Sequence, residues 1–153
     1  MDFELGTRWC FDAPLDAVWR AVADGDTWPR WWPGVDSQTL DPGDARGLGA
    51  RRRYVCRSAL PLRLCFVTQV TRIEPQQLIE GQVEGDLLGV GRCRLTQDQG
   101  RTIVRFDWHV RTTGRWLNRL APLAAPVLRW NHDLLMQAGG RGLARHLARR
   151  ADS

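Results

Sequence analysis

Between Val35 and Val110 the sequence alternates apolar and polar residues in short runs separated by turn formers, and after Gly114 the repeat lengthens to that of a helix. Alternation puts successive side chains on opposite faces of a strand, whereas spacings of three and four mark one face of a helix. A chain that makes this switch once, and late, is confined to an antiparallel sheet followed by a long helix. The runs read as strands over Asp36–Leu40, Arg51–Ser58, Leu64–Val70, Leu78–Glu84, Leu87–Gln97 and Thr102–Thr112. Asp41-Pro42-Gly43-Asp44, Leu60-Pro61, Glu74-Pro75 and Asp98-Gln99-Gly100 supply the turns between them.

The first third adds one more strand and two short helices. Phe3, Leu5, Thr7, Trp9 and Phe11 alternate with Glu4, Arg8, Cys10 and Asp12, the pattern of a half-buried strand. Pro14 suits a first helical position, Asp16 suits the positive end of the helix dipole, and Leu15, Val18, Trp19 and Val22 follow at helical spacing up to Gly25. A very short second helix starts at Asp26 or Thr27 and ends at Pro33-Gly34. In the last segment a helical wheel puts Leu120, Ala124, Val127, Asn131, Leu134, Leu135, Ala138 and Gly142 on one face, with Arg129, His132 and Met136 at the sides or back. Pro122 and Pro126 predict that its regular part begins near Pro126 or is kinked there.

At 153 residues, 43% hydrophobic and 25% charged, the chain is expected to form a single domain over residues 1–153 without needing disulfides or metal for its core. All 22 basic residues are arginine, which excludes lysine Schiff-base and P-loop chemistry. Residues 1–50 carry nine acids and four arginines, the remainder eighteen arginines and eight acids. Most arginines alternate along strands as a solvated face would, and only Arg51-Arg52-Arg53 and Arg141, Arg145, Arg149 and Arg150 cluster. No DNA partner is expected, while transient membrane or RNA contact stays open. Met1-Asp2-Phe3-Glu4 does not open a signal peptide and no stretch is apolar enough to span a bilayer, so the expectation is a cytoplasmic protein. Cys10, Cys56, Cys65 and Cys93 have no C-x-x-C spacing, and no pair of histidines is spaced as metal ligands, so neither metal nor cofactor is expected.

The order of elements, with Phe11-Asp12-Ala13-Pro14-Leu15-Asp16-Ala17-Val18-Trp19, Trp28-Pro29-Arg30-Trp31-Trp32-Pro33, Gly85-Asp86-Leu87 and Trp130-Asn131-His132-Asp133, resembles the START-like helix-grip superfamily (SRPBCC; the polyketide cyclase/dehydrase and lipid transport family). The resemblance runs over nearly the whole chain. It implies an α+β helix-grip fold, a curved antiparallel sheet of about seven strands wrapped around a long C-terminal helix, with two short helices after strand one. It also implies a pocket between sheet and helix for a hydrophobic small molecule such as a lipid, isoprenoid, quinone or polyketide. It implies no single reaction, because folds of this kind host carriers, sensors and cyclases alike.

Strand parity and the helical wheel place Tyr54, Cys56, Phe66, Thr68, Cys93, Phe106, Trp108, Asn131 and Leu135 on the pocket wall. No carboxylate or histidine joins them on this reading, which weighs against a cyclase or dehydratase, since acid–base chemistry needs a titratable group facing the ligand. His109 and His132 are read as surface residues. Asn131, at the centre of an apolar face, must bond either structure or ligand. Arg52 shares the parity of Tyr54 and could anchor an acidic head group, although an outward side chain is the commoner outcome. Trp9, Trp19, Trp108 and Trp130 read as core or cavity wall. Trp28, Trp31 and Trp32 are too many for a tiny helix to bury and are assigned to the cavity entrance, with simple packing as the alternative. Three functions remain open: a carrier of a hydrophobic ligand, a cyclase/dehydratase using Tyr54 with a water or Asn131, and an RNA, ribosome or protein interaction module using the C-terminal arginines.

Overall fold

The computed structural model describes residues 2–57, 63–113 and 115–151, the last segment without side chains over 115–124. Strand β1 (Asp2–Phe11) leads into helix α1 (Leu15–Ala23), a 3-10 turn (Gly25–Thr27) and helix α2 (Trp28–Trp31). Six strands follow: β2 (Val35–Asp41), β3 (Arg51–Arg57), β4 (Arg63–Glu74), β5 (Leu78–Gly85), β6 (Leu87–Asp98) and β7 (Arg101–Thr112). Helix α3 (Arg115–Ala151) closes the chain. The strands form one antiparallel sheet in the order β1-β7-β6-β5-β4-β3-β2, so that β1 crosses to pair with β7 while every other neighbour is a hairpin partner. This is the helix-grip arrangement.

Local chemistry explains the joints. Asp98 pairs with Arg101 across Gln99 and Gly100, both with positive φ (51° and 82°), the two-residue turn whose twist matches paired strands. Pro14 sits just ahead of α1 in extended geometry, Asp16 lies in the first turn, and the Thr102 hydroxyl donates to the Ala13 carbonyl at 2.7 Å, tying that helix start to β7. The Asp86 carboxylate accepts from the Cys65 amide at 2.8 Å and its own amide donates back to the Cys65 carbonyl at 3.0 Å. Gly85-Asp86-Leu87 therefore clamps the β5–β6 corner onto β4. Strand β4 runs four residues past Val70, its register shifting between Val70 and Arg72, so the alternation read to Val70 understates it. The turn assigned to Leu60-Pro61 lies outside the described residues.

Helix α3 narrows its sequence reading in one way and departs from it in another. It is helical from Arg115, ahead of both prolines, so that of the two alternatives a start near Pro126 is excluded. Its buried stripe contains Asn131, Met136, Leu143 and Leu147, while Val127 is 43% exposed and Trp130 is 51% exposed. The inward face is thus turned towards Leu128, His132, Leu135 and Met136, and Trp130 is no core residue.

Three tryptophans cause that rotation. Trp9 Nε1 donates to the Met136 carbonyl at 3.0 Å and Trp32 Nε1 to the Leu135 carbonyl at 2.9 Å. The indoles reach the helix backbone because Gly139 and Gly140 face them: a Cβ on Gly139 would sit 2.4 Å from the Trp32 ring, and one on Gly140 2.9 Å from Trp9 Nε1. Gly142 lies against the Trp31 carbonyl, where a Cβ would stand 1.7 Å from the oxygen. Glycine disfavours helix by about 1 kcal/mol relative to alanine. Here it allows the close approach that seats α3 on β1 and α2.

Candidate functional site

A cavity of about 210 Å³ lies between the concave sheet face and α3. Strand alternation supplies its sheet wall. Tyr54 and Cys56 come from β3, Phe66 and Thr68 from β4, Cys93 from β6, and Phe106 and Trp108 from β7, while Asn131 and Leu135 come from α3. All nine residues read as pocket wall line this one space. Phe3, Val35, Ile79 and Val83 line it too and were passed over, although their strand parity marks them equally. Gly81 and Gly91 stand opposite each other on β5 and β6, and Gly91 faces Trp108 across to β7. Lacking side chains, they leave the volume that the Trp108 indole overhangs.

The wall is aromatic and continues into the core at Trp9, which does not itself line the cavity. Ring centroids step from Trp9 to Trp32 at 5.2 Å, Trp32 to Trp28 at 5.3 Å, Trp28 to Tyr54 at 5.0 Å, Tyr54 to Phe66 at 5.8 Å and Phe66 to Trp108 at 6.0 Å. Each lies within the range in which tilted or edge contacts between rings are attractive. For Trp31 and Trp32 the contacts favour packing over a place at an entrance. Trp31 is 3% and Trp32 5% exposed, and only Trp28 and Trp32 of the three line the cavity. Trp28 is half-buried and its Nε1 donates to the Val22 carbonyl at 3.1 Å. The short helix buries its tryptophans because it has two partners, the sheet edge on one side and the glycine face of α3 on the other.

Besides Arg57, Arg92 and Thr112, two polar side chains enter this apolar space against expectation. His132 lines the cavity, and both ring nitrogens are buried without a hydrogen-bond partner among the described residues. Asp133 Oδ1 stands 3.6 Å from its Nδ1, too far for a hydrogen bond. Desolvation dominates and holds the imidazole below the usual histidine range, so it is neutral at pH 7. The signal that could have found it is its i, i+4 spacing to Leu128 and Met136, the stripe that the wheel centred on Val127 set aside. Arg52 is the second. Its side chain is 16% exposed, turned inward beside Tyr54 rather than out to solvent.

The remaining titratable groups are muted. Burial raises the Tyr54 phenol well above its ordinary range, with the Arg52 charge only partly offsetting it. Burial also pushes the Cys56 thiol up to about 12 and the Cys93 thiol higher still, so neither is a thiolate nucleophile at neutral pH. Asn131 is 7% exposed on the helix wall. His109 is on the outer face, its ring 66% exposed. Among the described residues no three of His, Cys, Asp and Glu converge where they could hold a metal ion, and no helix is long and apolar enough to cross a membrane.

A curved sheet gripping one helix around an aromatic cavity defines a ligand-binding fold of the START and polyketide-cyclase type. The chain matches the family described as polyketide cyclase/dehydrase and lipid transport over residues 10–148. It belongs to that family. No curated protein matches it in sequence. Among solved structures, a START superfamily protein from Mycobacterium smegmatis superposes with a TM-score of 0.75 at 13% identity, covering 95% of this chain and 97% of that one. The Zhui aromatase/cyclase from Streptomyces sp. R1128 gives a TM-score of 0.75 at 17% identity over 99% and 96%. TTHA0849 from Thermus thermophilus gives 0.74 at 17% identity over 94% and 99%. At such identities the likeness is one of fold alone.

Proposed function

We propose that the protein binds a hydrophobic small molecule, of lipid, isoprenoid, quinone or polyketide type, in the cavity between its sheet and α3. The observation that carries this reading is the cavity itself: about 210 Å³ left unfilled inside a wall made mainly of aromatic and aliphatic side chains. Protein cores pack to the density of organic crystals, so an apolar space of this size is a cost unless something occupies it. Ligand sites commonly run from about 300 Å³ upward. A larger occupant would therefore push Trp28 or Trp108 outward or leave part of itself at the mouth.

A ligand at 100 times its Kd would stabilise the fold by about 2.7 kcal/mol, or roughly 5–11 °C in Tm for a chain of this size. Native mass spectrometry of protein purified from its own host is expected to show a retained small molecule. Thermal shift and tryptophan emission with lipids, quinones and aromatic polyketides test the same claim. If no member of these classes is retained and none alters emission or Tm, the reading fails.

Acid–base catalysis of the cyclase/dehydratase type is the second reading, and His132 is what favours it: a neutral imidazole in the cavity with both nitrogens available. It ranks below binding because no described group holds that imidazole in one orientation, which a general base requires.

A further inference from the structure

We infer that the occupant of the cavity is an amphiphile with a single oxyanion head, such as a carboxylate, seated against Arg52. This rests on the binding reading above and narrows it. The cavity lining contains three arginines, Arg52, Arg57 and Arg92, and no aspartate or glutamate. The three are not equivalent. Arg92 is 43% exposed and already bound to Glu80 at 2.8 Å, and Arg57 lies exposed at the end of β3. Arg52 is the least exposed of the three, its side chain 16% accessible and its Nε buried.

Its compensation is incomplete. The one ion pair that Arg52 makes among the described residues is to Asp26, with Nε 3.5 Å from Oδ1. Nε is nevertheless buried without a hydrogen-bond acceptor. Asp26 is itself 53% exposed, and the same Oδ1 accepts from the Thr39 hydroxyl. A carboxylate shared with a hydroxyl and bathed in solvent offsets a half-desolvated guanidinium weakly. Asp24 and Asp36 also act on Tyr54 and Cys56, and Asp133 on His132, but none of these carboxylates lines the cavity, and the Tyr54 phenol and the His132 imidazole are both held neutral by burial. The charged side chains that line the cavity itself are therefore all cationic. An arginine fork presents paired N–H donors whose geometry matches an oxyanion, and a ligand head there would fill the bonding capacity that the protein leaves open. The aromatic wall would take the apolar body.

The test uses two dyes that share one aromatic body, 1-anilinonaphthalene-8-sulfonate and the uncharged N-phenyl-1-naphthylamine. They are titrated against wild type, Arg52→Met, Arg53→Met and Asp26→Asn, with thermal unfolding of each variant. Hydrogen bonds to charged groups are worth enough to separate the dyes by about tenfold or more. Wild type is expected to bind the sulfonate at least that much more tightly. Arg52→Met should abolish the difference while the uncharged dye changes less than about threefold. Arg53→Met removes the same charge from the exposed side of β3 and should change neither dye. Asp26→Asn, a change at an exposed side chain, should tighten the sulfonate alone, so a failure of Arg52→Met to fold leaves the inference open to refutation. Equal affinity of the two dyes for wild type overturns it. So does a loss at Arg53→Met as large as at Arg52→Met, or an Asp26→Asn variant that fails to tighten. Binding of neither dye removes the cavity-binding reading itself, an outcome distinct from binding of the uncharged dye alone.

Discussion

Replacing Gly142 by alanine inverts an ordinary rule. In a helix interior Gly→Ala gains about 1 kcal/mol from propensity. At this position the new methyl would stand 1.7 Å from the Trp31 carbonyl oxygen, and that oxygen belongs to backbone. Relieving the contact requires about 1.5 Å of separation between α2 and α3, far beyond the few tenths that a packed side chain can give. Neighbouring indole bonds, Trp32 to the Leu135 carbonyl and Trp9 to the Met136 carbonyl, lie along the same line of approach and would stretch with it. Overpacking costs about 1–3 kcal/mol, and each weakened hydrogen bond about 1 kcal/mol. Set against the propensity gain, the net loss is about 2 kcal/mol, or roughly 4–8 °C in Tm. Thermal and urea unfolding followed by circular dichroism would measure it, with Gln137→Ala on the exposed side of α3 as a control expected to stay within about 0.5 kcal/mol of wild type. A G142A protein as stable as wild type, or more so, would refute the claim that glycine contacts set the height of α3 above the sheet.

His132 gives a pH prediction. Its folded pKa lies below the ordinary histidine value of 6.5, so above that pH both folded and unfolded states are neutral there, and as pH falls the unfolded chain takes up the proton first. Stability is then lost as pH falls through and below 6.5. His132→Leu should flatten the fall between about pH 6.5 and 5, and an unchanged slope would mean that the ring is solvated; His146, lowered in the same direction by desolvation and by Arg150, Arg149 and Arg30, supplies the part that persists. Thiol chemistry gives another. Cys10 is exposed while burial holds Cys56 and Cys93 as protonated thiols, so a disulfide reagent on native protein should modify Cys10 first, and Cys10→Ser should remove the fast phase. Mass mapping that finds Cys93 labelled as quickly as Cys10 would contradict the packing of β6.

What the sequence by itself determined follows from the simplicity of a strand's geometry. A strand has two faces, so one well-placed apolar row decides which residues look inward, and Tyr54, Cys56, Phe66, Thr68, Cys93, Phe106 and Trp108 were legible on that basis. The single change of period after Gly114 announced sheet then helix, and with the quoted motifs it reached the helix-grip family. A helix offers a continuous range of rotations, and the apolar residues of α3 are spread too widely around it to select one. Its orientation was decided by contacts no hydrophobicity pattern contains, the seating of Trp9, Trp31 and Trp32 against Gly140, Gly142 and Gly139. That rotation brings His132 inside, puts Trp130 outside and buries Trp31 and Trp32 between α2 and α3. Arg52 turned inward for a related reason. Its parity permitted it, but only the approach of the Gly25–Thr27 turn, with Asp26 at its tip, gave the guanidinium a partner at the edge of the cavity. Tertiary structure alone can supply such a neighbour, because the two residues lie on segments that the sequence pattern does not relate.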